Sequence, residues 1–295
     1  MENYVNLIKL LQTNFNKLSK GQKLIAEYII ENYDKAAFMT ASKLGETVGV
    51  SESTVVRFAN TLGYKGYREL QNELQELVKN KLTTVQRISL TDSYLDTKDN
   101  SMKKVLKKDM DNIRSTIDEL DYENFDIAIE NILKAKTVYV LGLRSSAFLA
   151  GYLGFYFNFI VDNVKVVTSA PSDVFEQLLK ATENDVVIGI SYPRYSKRTL
   201  EALDYAKEKG CKIIGITDSL VSPAAQIADI TLIAGSNMVS FVDSLVAPMS
   251  LINALIVGVA MEKEEGITKY FEDLEAIWEK HNVYGISNRN NNLNK

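Results

Sequence analysis

Along residues 1 to 80 the apolar side chains recur every three or four positions, and no run alternates as a half-buried strand would. In "LSKGQKLIAEYIIENY" Ser19 and Gln22 stand at capping-box spacing, and Leu24, Ile25, Tyr28 and Ile29 share a face, which predicts a core-facing helix. Between 39 and 70, Ala41, Leu44 and Val48 mark one helical face, Val55, Phe58 and Leu62 mark a second, and Gly49 lies between them. From Lys136 the rhythm changes to short β-rich runs, "KTVYVLG", "VKVVTS", "DVVIGIS", "CKIIGITD" and "ADITLIA". The spaces between the first four are long enough for a helix, which predicts a parallel sheet covered on both faces.

A chain of 295 residues, 46% of them apolar, exceeds what one core usually needs. The expected class is therefore α plus α/β: an all-helical N-terminal helix-turn-helix domain over 1–80, then a five-stranded parallel α/β sandwich over 105–284 with flavodoxin-like strand order. The polar stretch 81–104 reads as a linker, a helical run from about 99 to 134 leads into the sheet, and the tail 285–295 is too polar to fold.

Charge changes little in this picture. Lys plus Arg number 34 against 38 Asp plus Glu, so no overall field draws the chain to nucleic acid or to an anionic membrane. The N-terminus lacks the basic start and apolar run of a signal peptide, and the longest uncharged run, 244–261, contains Ser, Asn and Pro and reads as a buried helix rather than a membrane span. Cys211 and His281 are the only residues of their kinds, which excludes an internal disulfide, a cysteine cluster and a multi-histidine metal site. No metal or cofactor is expected, no membrane partner, and the reducing cytoplasm is the expected compartment.

A short helix, a turn containing Gly49 and a second short helix form the unit that places its second helix in the DNA major groove. Ser51 is placed to cap that helix and Glu52 to favour its dipole, which leaves Ser53, Thr54 and Arg57 on the outer face. Hydroxyls suit phosphate or base edges, and a guanidinium suits guanine or phosphate. From Ser53 to Arg68 there are three basic residues and no acidic one, and "GYKGYREL" adds Lys65, Tyr67 and Arg68 for the flanking phosphates. Spacing alone also fits a packed helical hairpin with a solvated face. The stretch "VSESTVVRFANTLGYKGY" closely resembles the N-terminal domain of the RpiR family of bacterial transcriptional regulators. The resemblance implies sequence-specific binding to a double-stranded operator by Ser51 to Arg57, with Lys65 and Tyr67 nearby.

A second candidate lies in the sheet. For strand order 2-1-3-4-5, a ligand crevice opens beyond the carboxyl ends of strands one and three. The loops there are "GLRSSAF" and "SYPRYSKRT", which bring Gly142, Arg144, Ser145 and Ser146 together with Ser191, Arg194, Ser196 and Thr199. Both run into helices whose N–H groups favour an anion, most simply a phosphate monoester; the alternative is that the hydroxyls cap helices and the arginines are solvated. The loop pair also resembles the sugar isomerase (SIS) domain that forms the C-terminal half of RpiR regulators and binds phosphosugars. That pattern, G-x-G-x-S and S-x-S-G-x-T, is kept at Gly142, Ser146, Ser191 and Ser196. It is broken where Arg144 replaces a glycine and Pro193 and Arg194 replace Ser-Gly. The arginines either favour a more highly charged or differently shaped ligand or fill part of the pocket.

An isomerase would need a positioned base. The carboxylates near the crevice, Asp173, Glu176, Asp218 and Asp243, show no spacing that singles one out, so no catalytic residue is assigned. The reading is a transcriptional regulator, with repression the expected sign, that responds to a phosphosugar effector; the alternative is a phosphosugar isomerase with a helical appendage. Reading two half-sites calls for a homodimer or higher oligomer, with 99–134 and 241–261 as candidate interfaces.

Overall fold

The structure, a computed structural model, describes residues 10–11, 15–79, 84–85, 98–169, 172–238, 242–263 and 267–284. Most of the expected linker and all of the expected tail fall outside the described residues. The chain divides into two compact units, Met1–Leu106 with Met238–Asp243, and Lys107–Asn237 with Ser244–Lys295.

The first unit is helical. It contains α1 (Lys20–Glu31), the single turn α2 (Tyr33–Ala36), α3 (Ala41–Val48), α4 (Glu52–Thr61) and α5 (Tyr67–Lys79). Ser19 and Gln22 form the capping box that starts α1. Ile25, Ala26 and Ile29 of α1 meet Leu44, Val55, Phe58, Leu62, Leu70 and Leu74 in one core. Each large apolar side chain buried there stabilises the unit by about 1.5–3 kcal/mol relative to exposure. Leu24 departs from the expected face: it is exposed, because Ala26 takes the inward position beside Ile25 and Ile29.

The second unit carries the sheet. Helix α6 (Lys98–Asp118), which belongs to this unit from Lys107 onward, is followed by α7 (Tyr122–Lys134), so the expected single run breaks after Asp118. There Asp121 caps α7 by accepting the Asn124 N–H at 3.1 Å. Asn112 of α6 exchanges two hydrogen bonds with the Asn237 backbone, and Thr116 accepts the Gly235 N–H at 2.9 Å, which ties α6 to the segment after the last strand.

Strands β1 (Val138–Gly142), β2 (Val164–Val167), β3 (Val186–Ile190), β4 (Lys212–Thr217) and β5 (Ile230–Ile233) run parallel in the order β2-β1-β3-β4-β5. Between them lie α8 (Ser146–Ile160), the single turn α9 (Val174–Gln177), α10 (Lys197–Glu208) and α11 (Pro223–Ile227); α12 (Val246–Glu262) and α13 (Ile267–Lys280) follow. Val138, Val140, Ile188 and Ile214 face α7, α8 and α12, whereas Tyr139, Leu141, Val187 and Ile213 face α9 and α10. The alternation of strand side chains thus gives two cores, one on each face of the sheet. Each strand lies within two residues of its expected span. The connection from β2 to β3 is the exception, with one helical turn where a full helix was expected. No helix among the described residues is long and apolar enough to cross a membrane.

Candidate functional site

Two groups of residues merit attention, one in each unit. In the first unit Gly49 ends α3 at φ 77°, a left-handed conformation that glycine adopts without a side-chain penalty. That turn sets α4 off in a new direction. Ser51 caps α4 by accepting the Thr54 N–H at 3.3 Å, and its hydroxyl also lies 2.9 Å from that of Ser53 and 2.8 Å from that of Thr54. Val55, Phe58 and Ala59 turn inward. Ser53, Arg57 and Asn60 therefore share the exposed face, spaced four and three residues apart. Arg57 lies back along the helix, donating to the Ser53 carbonyl at 3.2 Å.

The remaining sequence-assigned residues of this unit divide. Lys65 and Arg68 are exposed after α4. Tyr67 is not a surface group: it is only 7% exposed and its hydroxyl donates to the Met39 carbonyl at 2.8 Å. The expectation that it meets phosphate fails because its ring fills the helical core and its O–H satisfies a backbone acceptor. Thr54 is half-buried, with its hydroxyl tied to Ser51. Asn60 was missed by sequence reasoning, although its spacing from Ser53 and Arg57 puts it on their face.

In the second unit Gly142 ends β1 opposite Ile190, the last residue of β3. The loops after both strands therefore leave the sheet side by side, at the reversal of strand order. Helix α8 begins so close to the strand end that a Cβ on Gly142 would lie 2.4 Å from the Ser146 carbonyl oxygen, so glycine is required there. Ser146, Ser191 and Thr199 are 5%, 3% and 1% exposed. None of their hydroxyls hydrogen-bonds to another described residue, and none is sealed from solvent. Ser196 caps α10 by accepting the Thr199 N–H at 3.4 Å, whereas Ser145 is exposed and makes no capping bond.

Arg144 and Arg194 are both exposed, and both adopt the left-handed region, at φ 57° and 65°. Tyr192, buried beside the loop, has a phenol O–H without a partner among the described residues. Burial, and then the charge of Asp218, push its pKa well above the ordinary value, so it stays a neutral donor.

Three of the carboxylates considered as bases are engaged locally. Asp173 and Glu176 form the capping box of α9, and Asp173 also holds the Arg198 guanidinium, which lies 4.5 Å from the centre of the Phe175 ring. The Phe175 N–H, and then Arg198, pull the Asp173 pKa below its usual range. Asp218 accepts from the Tyr195 hydroxyl at 2.9 Å. Asp243 belongs to the other unit. Among the described residues no group of three His, Cys, Asp or Glu could hold a metal ion. A cleft of about 450 Å³ at the opposite ends of the strands is lined by Lys134, Lys136, Glu183, Asp185 and Lys212. Charges of both signs mix there and α7 ends at it, so it offers no uniform charge for an anion.

A further surface was missed in the sequence. Tyr152, Phe155, Tyr156 and Phe159 of α8 form a chain of edge-to-face contacts with ring centres 4.9–6.4 Å apart. Phe148 is 78% exposed, Phe155 58% and Met261 of α12 71%. The available signal is that "SAFLAGYLGFYFNFI" has no polar face at all. A helix covering one sheet face needs only one apolar stripe.

Residues 5–81 match the model of the rpiR-family helix-turn-helix domain, and residues 131–258 match that of the SIS domain. The chain is 26% identical over 266 residues to the HTH-type transcriptional regulator HexR of Pseudomonas aeruginosa, covering 88% of this chain and 90% of that one. Among solved structures it resembles the sugar isomerase domain of an RpiR transcription factor from Sphaerobacter thermophilus, at 31% identity and TM-score 0.56, over 59% of this chain and 97% of that one. It also shares the fold of the Vibrio vulnificus NanR protein, solved with ManNAc-6P, at 18% identity and TM-score 0.55 over 92% of this chain and 98% of that one. With its helix-turn-helix and SIS domains in this order, the chain belongs to the RpiR family of transcriptional regulators.

Proposed function

We propose that the chain binds an operator through α4 and releases or holds it according to a phosphosugar bound at the crevice after β1 and β3. Ser53, Arg57 and Asn60 would face base edges in the major groove, with Lys65 and Arg68 on flanking phosphates. The observation that carries the sensor half is the set of three buried residues, Ser146, Ser191 and Thr199, whose hydroxyls the fold leaves without partners after β1 and β3 and in the first turns of α8 and α10. A phosphate there would accept from them and from the free N–H groups of both helices. That NanR was solved with a sugar phosphate agrees with this ligand class. Cytoplasm is the proposed compartment, since the operator is there.

The working form is proposed to be a homodimer joined through the aromatic face of α8 and the outer side of α12. Tyr152 links the two helices by donating to Asn253 at 2.8 Å. Because α8 begins at Ser146 and carries the aromatic chain on its flank, ligand bound at its first turn would bias the packing of the dimer. The shift requires that one arrangement bind ligand better than the other.

The test is binding of the purified protein to labelled DNA from upstream of its own gene and its neighbours, at fixed salt, with and without a panel of sugar phosphates. Preference for one fragment over scrambled DNA, altered by one compound, is the expected result. No preference at any salt, together with turnover of a panel compound, would replace this reading with an isomerase.

A further inference from the structure

We propose that Arg144 makes the sensor selective for a sugar phosphate bearing a second anionic group, a carboxylate or second phosphate, over its singly charged counterpart. The proposal rests on the crevice being the phosphosugar site. It starts from an apparent liability. At φ 57° an L side chain crowds the backbone, and glycine would occupy that position without strain. The SIS loop pattern has glycine at this place. Arginine stands here although the fold takes nothing visible from its side chain: the Arg144 carbonyl accepts the Ala147 N–H at 3.1 Å, as any residue's could, while its side chain is exposed and makes no hydrogen bond or ion pair with any described residue.

Its place in the loop says what it can serve. Arg144 lies two residues past Gly142, the end of β1, and two before Ser146, the buried hydroxyl that opens α8. The floor of the crevice, three unpartnered hydroxyls and two helix starts, already suffices for one phosphate. A guanidinium at the rim adds a full charge beyond that need, in a planar fork that matches carboxylate or phosphate oxygens. The neighbouring cations are occupied: Lys197 pairs with Glu201 at 3.4 Å, and Arg198 is held by Asp173. Arg194 is also left-handed, but takes part in an interaction of its own and is left out of the claim. Arg144 is thus the cation of these loops best placed to read a second anion.

The test is calorimetric titration of the full chain with matched pairs: glucose 6-phosphate against 6-phosphogluconate, and fructose 6-phosphate against fructose 1,6-bisphosphate. Wild type is expected to bind the doubly anionic member of at least one pair about tenfold or more tightly, the scale of a hydrogen-bonded charge pair. Arg144→Gly should bring the two members within about threefold, chiefly by weakening the doubly charged one, and keep or raise Tm, since glycine accepts the backbone. Arg144→Lys should keep part of the preference, having charge without the fork. Equal affinity for both members of each pair in wild type, or a preference that survives Arg144→Gly, would overturn the proposal while leaving the phosphosugar reading intact. If no member of either pair binds wild type, the proposal and that reading both fall.

Discussion

The turn into α4 and the loops that lead from β1 to α8 and from β3 to α10 all carry serines ahead of a helix, yet not all of these serines do the same work. Ser51 is spent: it accepts the Thr54 N–H and bonds to two neighbouring hydroxyls. Ser146, Ser191 and Thr199 are buried, and their hydroxyls have no partner among the described residues. At α4 the fold takes the serine, and the groups proposed for recognition, Arg57 and Asn60, are exposed to solvent. In the crevice the fold withholds its hydroxyls from itself. Because none of these hydroxyls is sealed from solvent, the fold is spared the full cost of about 1–3 kcal/mol for an unpartnered buried polar group, and each hydroxyl stays open to a small ligand.

The largest expected effect lies on the exposed side. Arg57→Ala should weaken operator binding by roughly 1–3 kcal/mol, about fivefold to 150-fold, if the guanidinium reads a base edge. The stability of the free protein should hardly move, since the side chain's described contacts are only to Ser53 in the preceding turn. Fluorescence anisotropy on operator and scrambled DNA at one salt concentration separates specific loss from general phosphate loss. Unchanged operator affinity, or lost response to ligand with DNA binding intact, would break the division between the two regions.

A smaller effect sharpens the contrast directly, because the same substitution should act in opposite ways at the two places. Ser51→Ala should lower stability by about 1 kcal/mol through the lost cap. Ser146→Ala removes a buried oxygen that the fold does not use, so the free protein should keep its stability or gain slightly while ligand affinity falls. Urea denaturation of both variants, with and without the effector, reads both quantities. Equal destabilisation by the two substitutions would mean that Ser146 already serves the fold.

Most of the sheet was legible because its central strands are buried on both faces and so read as unbroken apolar runs. The helix-turn-helix was legible because its apolar spacing, Gly49 and the Ser51 cap are local signals. What escaped depends on distance along the chain. Tyr67 stands beside glycines and basic residues, as a phosphate contact would, but its acceptor on Met39 is 28 residues away. Leu24 and Ala26 compete for one inward position, which only the packed core decides. The left-handed backbone of Arg144 and Arg194, at positions where glycine is favoured, likewise has no local sequence signal. In the loop after β3 the sequence offered several hydroxyls but not which of them are spent: Ser196 caps α10, while the Thr199 hydroxyl, three residues on, is left without a partner among the described residues.

The smallest effect concerns Asp173, which the sequence offered as a possible base and the fold uses to start α9 and hold Arg198. Its folded pKa lies below the ordinary value of 3.8, chiefly through the Phe175 N–H and then through Arg198. A depressed carboxyl pKa contributes stability that is present above the unfolded value and lost as pH falls through the folded one. Wild type should therefore lose stability relative to Asp173→Asn as the pH drops below 3.8, so that the two curves converge in acid. The group is solvent-exposed, so salt should shrink the difference, and at neutral pH it should be modest. Thermal melts across an acid series at two ionic strengths measure it. Ligand binding at neutral pH should persist in Asp173→Asn, because a carboxylate occupied with a cap and an arginine is not available to the crevice. Loss of binding there, with α9 still folded, would return this residue to the site and reopen the case for acid–base chemistry at it.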